Sequence, residues 1–139
     1  MTAVFGDSSF WIALLNPKDF LHAKARALSK SLGRIFVITS EMVLTELLNE
    51  LSGHGSSYRR AAANLVGDLY HDPDVFIVPQ TRLQFQEALS LYAQRSDKKW
   101  GHTDCSSFQI MVREGLTQAL THDHHFVQAG FQALLRDRN

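Results

Sequence analysis

The stretch Ile35-Phe36-Val37-Ile38-Thr39-Ser40-Glu41-Met42-Val43-Leu44-Thr45-Glu46-Leu47-Leu48-Asn49-Glu50-Leu51 contains the change of period on which the fold turns. Its first four residues are a short apolar run that reads as a strand. Thr39-Ser40 then opens a helix in which Leu44, Leu47, Leu48 and Leu51 recur at i, i+3, i+4 and i+7, a stripe that must face a core. Gly53 and Gly55 end it. A strand running straight into an amphipathic helix is one βα unit, and the same alternation repeats outward in both directions. Further strands are read at residues 3–6, 75–78 and 119–121, with a weaker one at 133–135; further helices span 57–71 and 82–95, and Pro73 and Pro79 punctuate the segments between them. The expectation is an α/β protein with a parallel sheet, one domain over residues 1–135 and a short polar tail over 136–139.

At 139 residues and 45% hydrophobic content, the chain can bury the core of one such domain. Lys plus Arg and Asp plus Glu are 14 each, so no global basic field holds nucleic acid, and any phosphate binding must come from local patches or bridging cations. The single cysteine, Cys105, has no intrachain disulfide partner. Asp7 arrives too early for a secretory signal, and no apolar run approaches the length that spans a bilayer. A reducing compartment, most simply the cytoplasm, is expected.

Four acids stand at points where an apolar run stops or a helix begins. Asp7 follows Ala3-Val4-Phe5-Gly6, Asp123 follows Ala119-Leu120-Thr121-His122, Asp104 follows Trp100-Gly101-His102-Thr103, and Glu46 lies within the helix after Ser40. In an open parallel sheet, ligand chemistry collects beyond the carboxyl ends of the strands, so these positions converge on one crevice. Carboxylates gathered there suit a hard cation such as Mg²⁺ or Mn²⁺. Such an ion polarises a phosphate and acidifies water, as phosphodiester hydrolysis requires. Thr103 is read as the N-cap of a helix whose first turn holds Asp104 ionised. Ser8, Ser9 and Thr121 flank the acids and are placed to orient them. The competing reading is plain capping, since Asp at a strand end commonly caps the next helix. Glu46 has a competitor in Glu50 on the same flank of the stripe.

The segments Val4-Phe5-Gly6-Asp7-Ser8-Ser9-Phe10-Trp11, Thr39 to Asn49 around Glu46, Trp100 to Phe108 around Asp104, and Ala119 to Phe126 around Asp123 resemble the four acidic motifs of PIN-domain ribonucleases, most closely the VapC toxins of toxin–antitoxin systems. Order and length match from end to end. The resemblance implies a three-layer α/β/α fold with a central parallel sheet of four or five strands, and a Mg²⁺- or Mn²⁺-dependent endoribonuclease leaving 5′-phosphate and 3′-hydroxyl ends. It also implies a cognate antitoxin that occupies the active site, and a homodimer. Carried over by position, Asp7, Glu46, Asp104 and Asp123 are the catalytic metal ligands. Gly6 departs from the pattern, since such toxins often carry a larger apolar residue there.

Arg95, Lys98 and Lys99 precede Asp104 closely enough to hold an RNA backbone beside the crevice, and Arg59-Arg60 is a second basic patch. Trp100, in the same loop, is the aromatic placed to stack a base, with Tyr92 also in range, whereas Phe10 and Trp11 are expected to pack beneath the first helix. His122, His124 and His125 around Asp123 invite a zinc reading, which the adjacency of the positions disfavours. Cys105 reads as a small hydrophobe. Two other functions compete. An aspartate-nucleophile phosphatase would use Asp7, but the second acid such enzymes need two positions on is Ser9 here. A non-enzymatic binding module would need no cation at all.

Overall fold

The computed structural model describes residues 1–136, so Asp137, Arg138 and Asn139 of the polar tail lie outside the described residues. Five strands form one all-parallel sheet: β1 (Thr2–Gly6), β2 (Ile35–Ser40), β3 (Val75–Val78), β4 (Gln118–Leu120) and β5 (Gln132–Ala133). Their order across the sheet is β3-β2-β1-β4-β5. Between them run α1 (Ser8–Leu15), α2 (His22–Ser31), α3 (Glu41–Leu51), α4 (Ser56–His71), α5 (Arg82–Gln94), α6 (His102–Arg113) and α7 (His124–Gln128).

The chain steps outward from β1 to β2 to β3, then crosses back over the sheet to β4 and on to β5. Right-handed crossovers in opposite directions put their helices on opposite faces, so α1 to α4 cover one side and α5 to α7 the other. The contacts agree: α1 packs on α2, α3 and α4, while α5 packs on α6 and α6 on α7. The layers are α/β/α. The order reverses between β1 and β4, where Phe5 pairs with Ala119 and Gly6 with Leu120, which makes that boundary the switch point where a crevice opens.

The inner side chains are mostly apolar, with Thr39, Gln84, Ser106 and Ser107 among the buried polar ones. Val4 and Phe5 of β1, Leu47 and Leu51 of α3, Ile110 and Met111 of α6, and Phe126 of α7 are all essentially solvent-free. Phe10 and Trp11 are buried as expected. The α3 stripe is narrower than its spacing predicts. Leu44, Leu47 and Leu51 are inside, joined by Val43, but Leu48 is 38% exposed at the rim. Helix α3 does begin where expected, with Ser40 as N-cap accepting the Val43 N–H at 3.2 Å.

Gly6 is explained by packing. A Cβ there would lie 2.4 Å from Trp11 Cη2 and 3.0 Å from Val37 Cγ1, so the missing side chain is the space that the indole of α1 occupies above β1 and β2.

Candidate active site

Asp7 follows β1 directly and its backbone begins α1, yet its side chain makes no capping bond. It turns instead across the switch point, where Thr121 Oγ1 donates to Asp7 Oδ2 at 2.7 Å and Ser9 Oγ approaches the same oxygen at 3.4 Å. Plain capping therefore does not account for it. Asp7 is 6% exposed, and burial above all, together with the charges of Glu46 and Asp104, pushes its carboxyl up to about 7 despite the Thr121 bond.

Glu46 projects from the second turn of α3. Although the residue as a whole is exposed, its carboxylate turns inward and accepts a hydrogen bond from Ser8 Oγ at 2.8 Å, with Thr103 as a further hydrogen-bond partner. Loss of water around that carboxylate, and then Asp104 and Asp123, raise its pKa. Glu50 has no such bond to the crevice and stays solvated on the outer flank.

Asp104 sits two residues deeper in its helix than the sequence suggests. The N-cap of α6 is Gly101, not Thr103, because helical geometry already begins at His102. Asp104 is thus the third helical residue, and its Oδ2 accepts the Gly101 N–H at 2.9 Å. The same oxygen lies 3.2 Å from His125 Nδ1. Burial raises its pKa, and Asp123 adds to the rise while Gly101 and His125 oppose it.

Asp123 does cap a helix: its Oδ1 accepts the His125 N–H at 2.9 Å at the start of α7. The side chain remains at the crevice, 3.3 Å from His125 Nδ1. Electrostatic coupling links Asp7 to Glu46 and Asp104, and Glu46 and Asp104 to Asp123, so acids from four separate segments converge. Ser8, Ser9 and Thr121 all touch them.

His125 is the residue that sequence reasoning left unused. Its ring nitrogen lies between Asp104 and Asp123, and an Asp-x-His at a helix start was the available signal. The histidines also converge more than their adjacency suggests, for ligand atoms of Asp123, His124 and His125 lie within 4.8 Å of one another. Cys105 is buried, with its thiol raised by burial, and takes no part.

The loop before α6 forms a hollow of about 500 Å³ lined by Tyr92, Arg95, Lys98, Lys99, Trp100 and Gly101. Gly101 joins it to Asp104. Within it Arg95 makes a two-pronged ion pair with Asp97 at 2.9 and 3.0 Å and lies 4.8 Å over the Trp100 ring. Trp100 is not an open stacking platform. Only 7% exposed, it packs edge-on against Phe108 and donates its indole N–H to Gln128 Oε1 at 3.0 Å. Arg59 and Arg60 line a separate hollow with α3, reached by none of the crevice contacts.

The molecule is of the class in which a parallel α/β/α sheet gathers carboxylates at its switch point. The carboxylate oxygens repel one another and are short of water, which is the setting that a divalent ion relieves. The chain belongs to the PIN domain family, whose sequence pattern matches residues 4–132. It is 32% identical over 132 residues to the 23S rRNA-specific endonuclease VapC20 of Mycobacterium tuberculosis, in the strains CDC 1551 and H37Rv, covering 92% of this chain and 95% of that one. It also matches the crystal structure of that Mycobacterium tuberculosis VapC20, described as a Sarcin-Ricin loop cleaving toxin, with a TM-score of 0.82 and 29% identity over 92% of this chain and 95% of the other. No helix among the described residues is long and apolar enough to cross a membrane.

Proposed function

We propose that this protein is a divalent-metal-dependent endoribonuclease acting as the toxin of a toxin–antitoxin pair, with structured ribosomal RNA as its substrate class. The observation that carries the proposal is the placement of Asp7: sealed from water, held by Thr121, and pushed up to about 7 beside Glu46 and Asp104. Membership of the PIN family and the likeness to an rRNA-specific endonuclease support the reaction and substrate.

Asp7, Glu46, Asp104 and Asp123 would hold Mg²⁺ or Mn²⁺. When bound, such an ion polarises the scissile phosphate and lowers the pKa of water. The chain's own residues do the positioning. Thr121 and Ser9 fix the rotamer of Asp7, Ser8 and Thr103 hold the carboxylate of Glu46, and the Gly101 N–H with His125 aims Asp104. Lys98 and Lys99, with Arg95 tied to Asp97, offer cations to the phosphates beside the cut. The antitoxin is the expected protein partner. Self-association into a homodimer is supported by the exposed Phe85, Leu89 and Tyr92 at helical spacing on α5.

The aspartate-nucleophile alternative is less well supported. Position 9 supplies a hydroxyl, bonded to Asp7, rather than the second acid that such chemistry needs. Purified Asp7→Asn and Asp104→Asn variants should lose RNA cleavage in Mg²⁺ or Mn²⁺ by at least about 100-fold, the scale on which removing a key electrostatic group acts. Cleavage by either variant at the wild-type rate would refute the assignment.

A further inference from the structure

Phe20 is 81% exposed, the most open of the large apolar side chains among the described residues. Isolated exposed hydrophobics are ordinary on protein surfaces and need no function. Phe20 differs in how it is held and in what it faces. The loop between α1 and α2 is stiffened by side chains: Asn16 Oδ1 accepts the Lys18 N–H at 3.0 Å and the Tyr58 hydroxyl at 3.1 Å, and Asp19 Oδ1 accepts the Leu21 N–H at 2.9 Å. Backbone bonds from Asp19 to Asn16 and from His22 to Asp19 close the turns, and His22 Nδ1 lies 2.7 Å from Ala13 O. Pro17 restricts φ within the loop, and Leu21 anchors it in the core at 8% exposed. The chain thus holds Phe20 outward on an ordered support.

The ring stands edge-to-face on His122, centroids 5.6 Å apart at 90°. His122 lies between Thr121 and Asp123, and its N–H reaches Ser9 Oγ at 3.4 Å, so Phe20 stands at the rim of the acidic crevice. Arg136 holds the backbone of the same residue, donating from Nη1 to His122 O at 2.9 Å. An open aromatic face and a guanidinium that both touch His122, at the rim of the acidic crevice, match how single-stranded RNA is held: base on ring, phosphate on cation. Resting on the ribonuclease reading, we infer that Phe20 is the base-stacking residue of the substrate site, with Arg136 holding the adjoining phosphate. It holds an unpaired nucleotide next to the scissile bond. A docking helix of a protein partner needs a broader apolar patch, whereas the ring contact here is the polar imidazole of His122.

The test compares wild type, Phe20→Ala and Phe20→Trp, full length, in steady-state cleavage of purified ribosomal RNA with Mn²⁺. Phe20→Ala should raise KM roughly tenfold, the scale of one lost base stack, with kcat within about twofold. Phe20→Trp should keep the wild-type KM. Its added exposed indole should also be quenched by RNA, against the buried Trp11 and Trp100 background. An unchanged KM for Phe20→Ala, with active wild type, overturns this inference alone. So does a loss that Phe20→Trp fails to restore, or weakened capture of a protein partner with RNA kinetics intact. Wild-type protein that cleaves no RNA overturns the ribonuclease reading and this one with it.

Discussion

A carboxyl group sealed from water and facing two other acids is held at a free-energy cost that a bound cation would relieve. For Asp7 the sign can be worked out. Its folded value of about 7 lies above the ordinary 3.8, so the folded state binds the proton more tightly than the unfolded chain. The stability this confers is fully present below 3.8 and is lost as pH rises through about 7. In EDTA, wild-type protein should therefore melt at a lower temperature at pH 8 than at pH 6. Asp7→Asn, which cannot ionise, should be the more stable of the two at pH 8 by roughly 1–3 kcal/mol. Differential scanning calorimetry of both proteins checks this, and a less stable Asp7→Asn at pH 8 would contradict the account. The variant predicted to lose cleavage would then stabilise the metal-free fold.

Between strand and helix, the constraint is shape. The indole of Trp11 occupies the volume above Gly6, so α1 can lie close on β1 and carry Ser8 and Ser9 to Glu46 and Asp7. Gly6→Ala should force the helix outward and cost about 1–3 kcal/mol, as overpacking does. Chemical denaturation measures it; a ΔΔG near zero would mean the helix seats without that gap. The α3 unit was legible in sequence because three signals agreed: an apolar run, a Ser40 cap and a leucine stripe. Helix α2 was not. Its sequence His22-Ala23-Lys24-Ala25-Arg26-Ala27-Leu28-Ser29-Lys30-Ser31 buries only Ala25 and so shows no stripe. Helix α7 is five residues long, too short for periodicity to declare itself. The start of α6 was misplaced toward Thr103 because Gly101 caps through its backbone, which leaves no side-chain signature.

Across the whole molecule, the acids come from the β1–α1 junction, α3, α6 and the β4–α7 turn, so cation binding would tie both helical layers to the sheet. Because Asp7, Glu46 and Asp104 all have raised pKa values, protons compete with the ion, and affinity should rise with pH. Mn²⁺ at about 100 times its Kd should add about 2.7 kcal/mol and raise the melting temperature by roughly 5–10 °C. At one fixed Mn²⁺ concentration, the increment should be smaller at pH 6 than at pH 8. Thermal melts with and without Mn²⁺ at the two pH values test this, and equal increments would argue against these carboxylates as ligands.

Sequence by itself determined the alternation of strand and helix, the parallel class and the candidacy of Asp7, Asp104 and Asp123, because hydrophobic period and the place where a strand ends or a helix begins are local properties. Only the tertiary structure decided that Glu46 rather than Glu50 faces the crevice, that Leu48 stays at the rim, that Trp100 is packed away and that His125 reaches two carboxylates. It alone put Phe20 beside His122, residues far apart along the chain. Such facts depend on which surfaces meet when distant segments pack, and no periodicity within one segment encodes the shape of another.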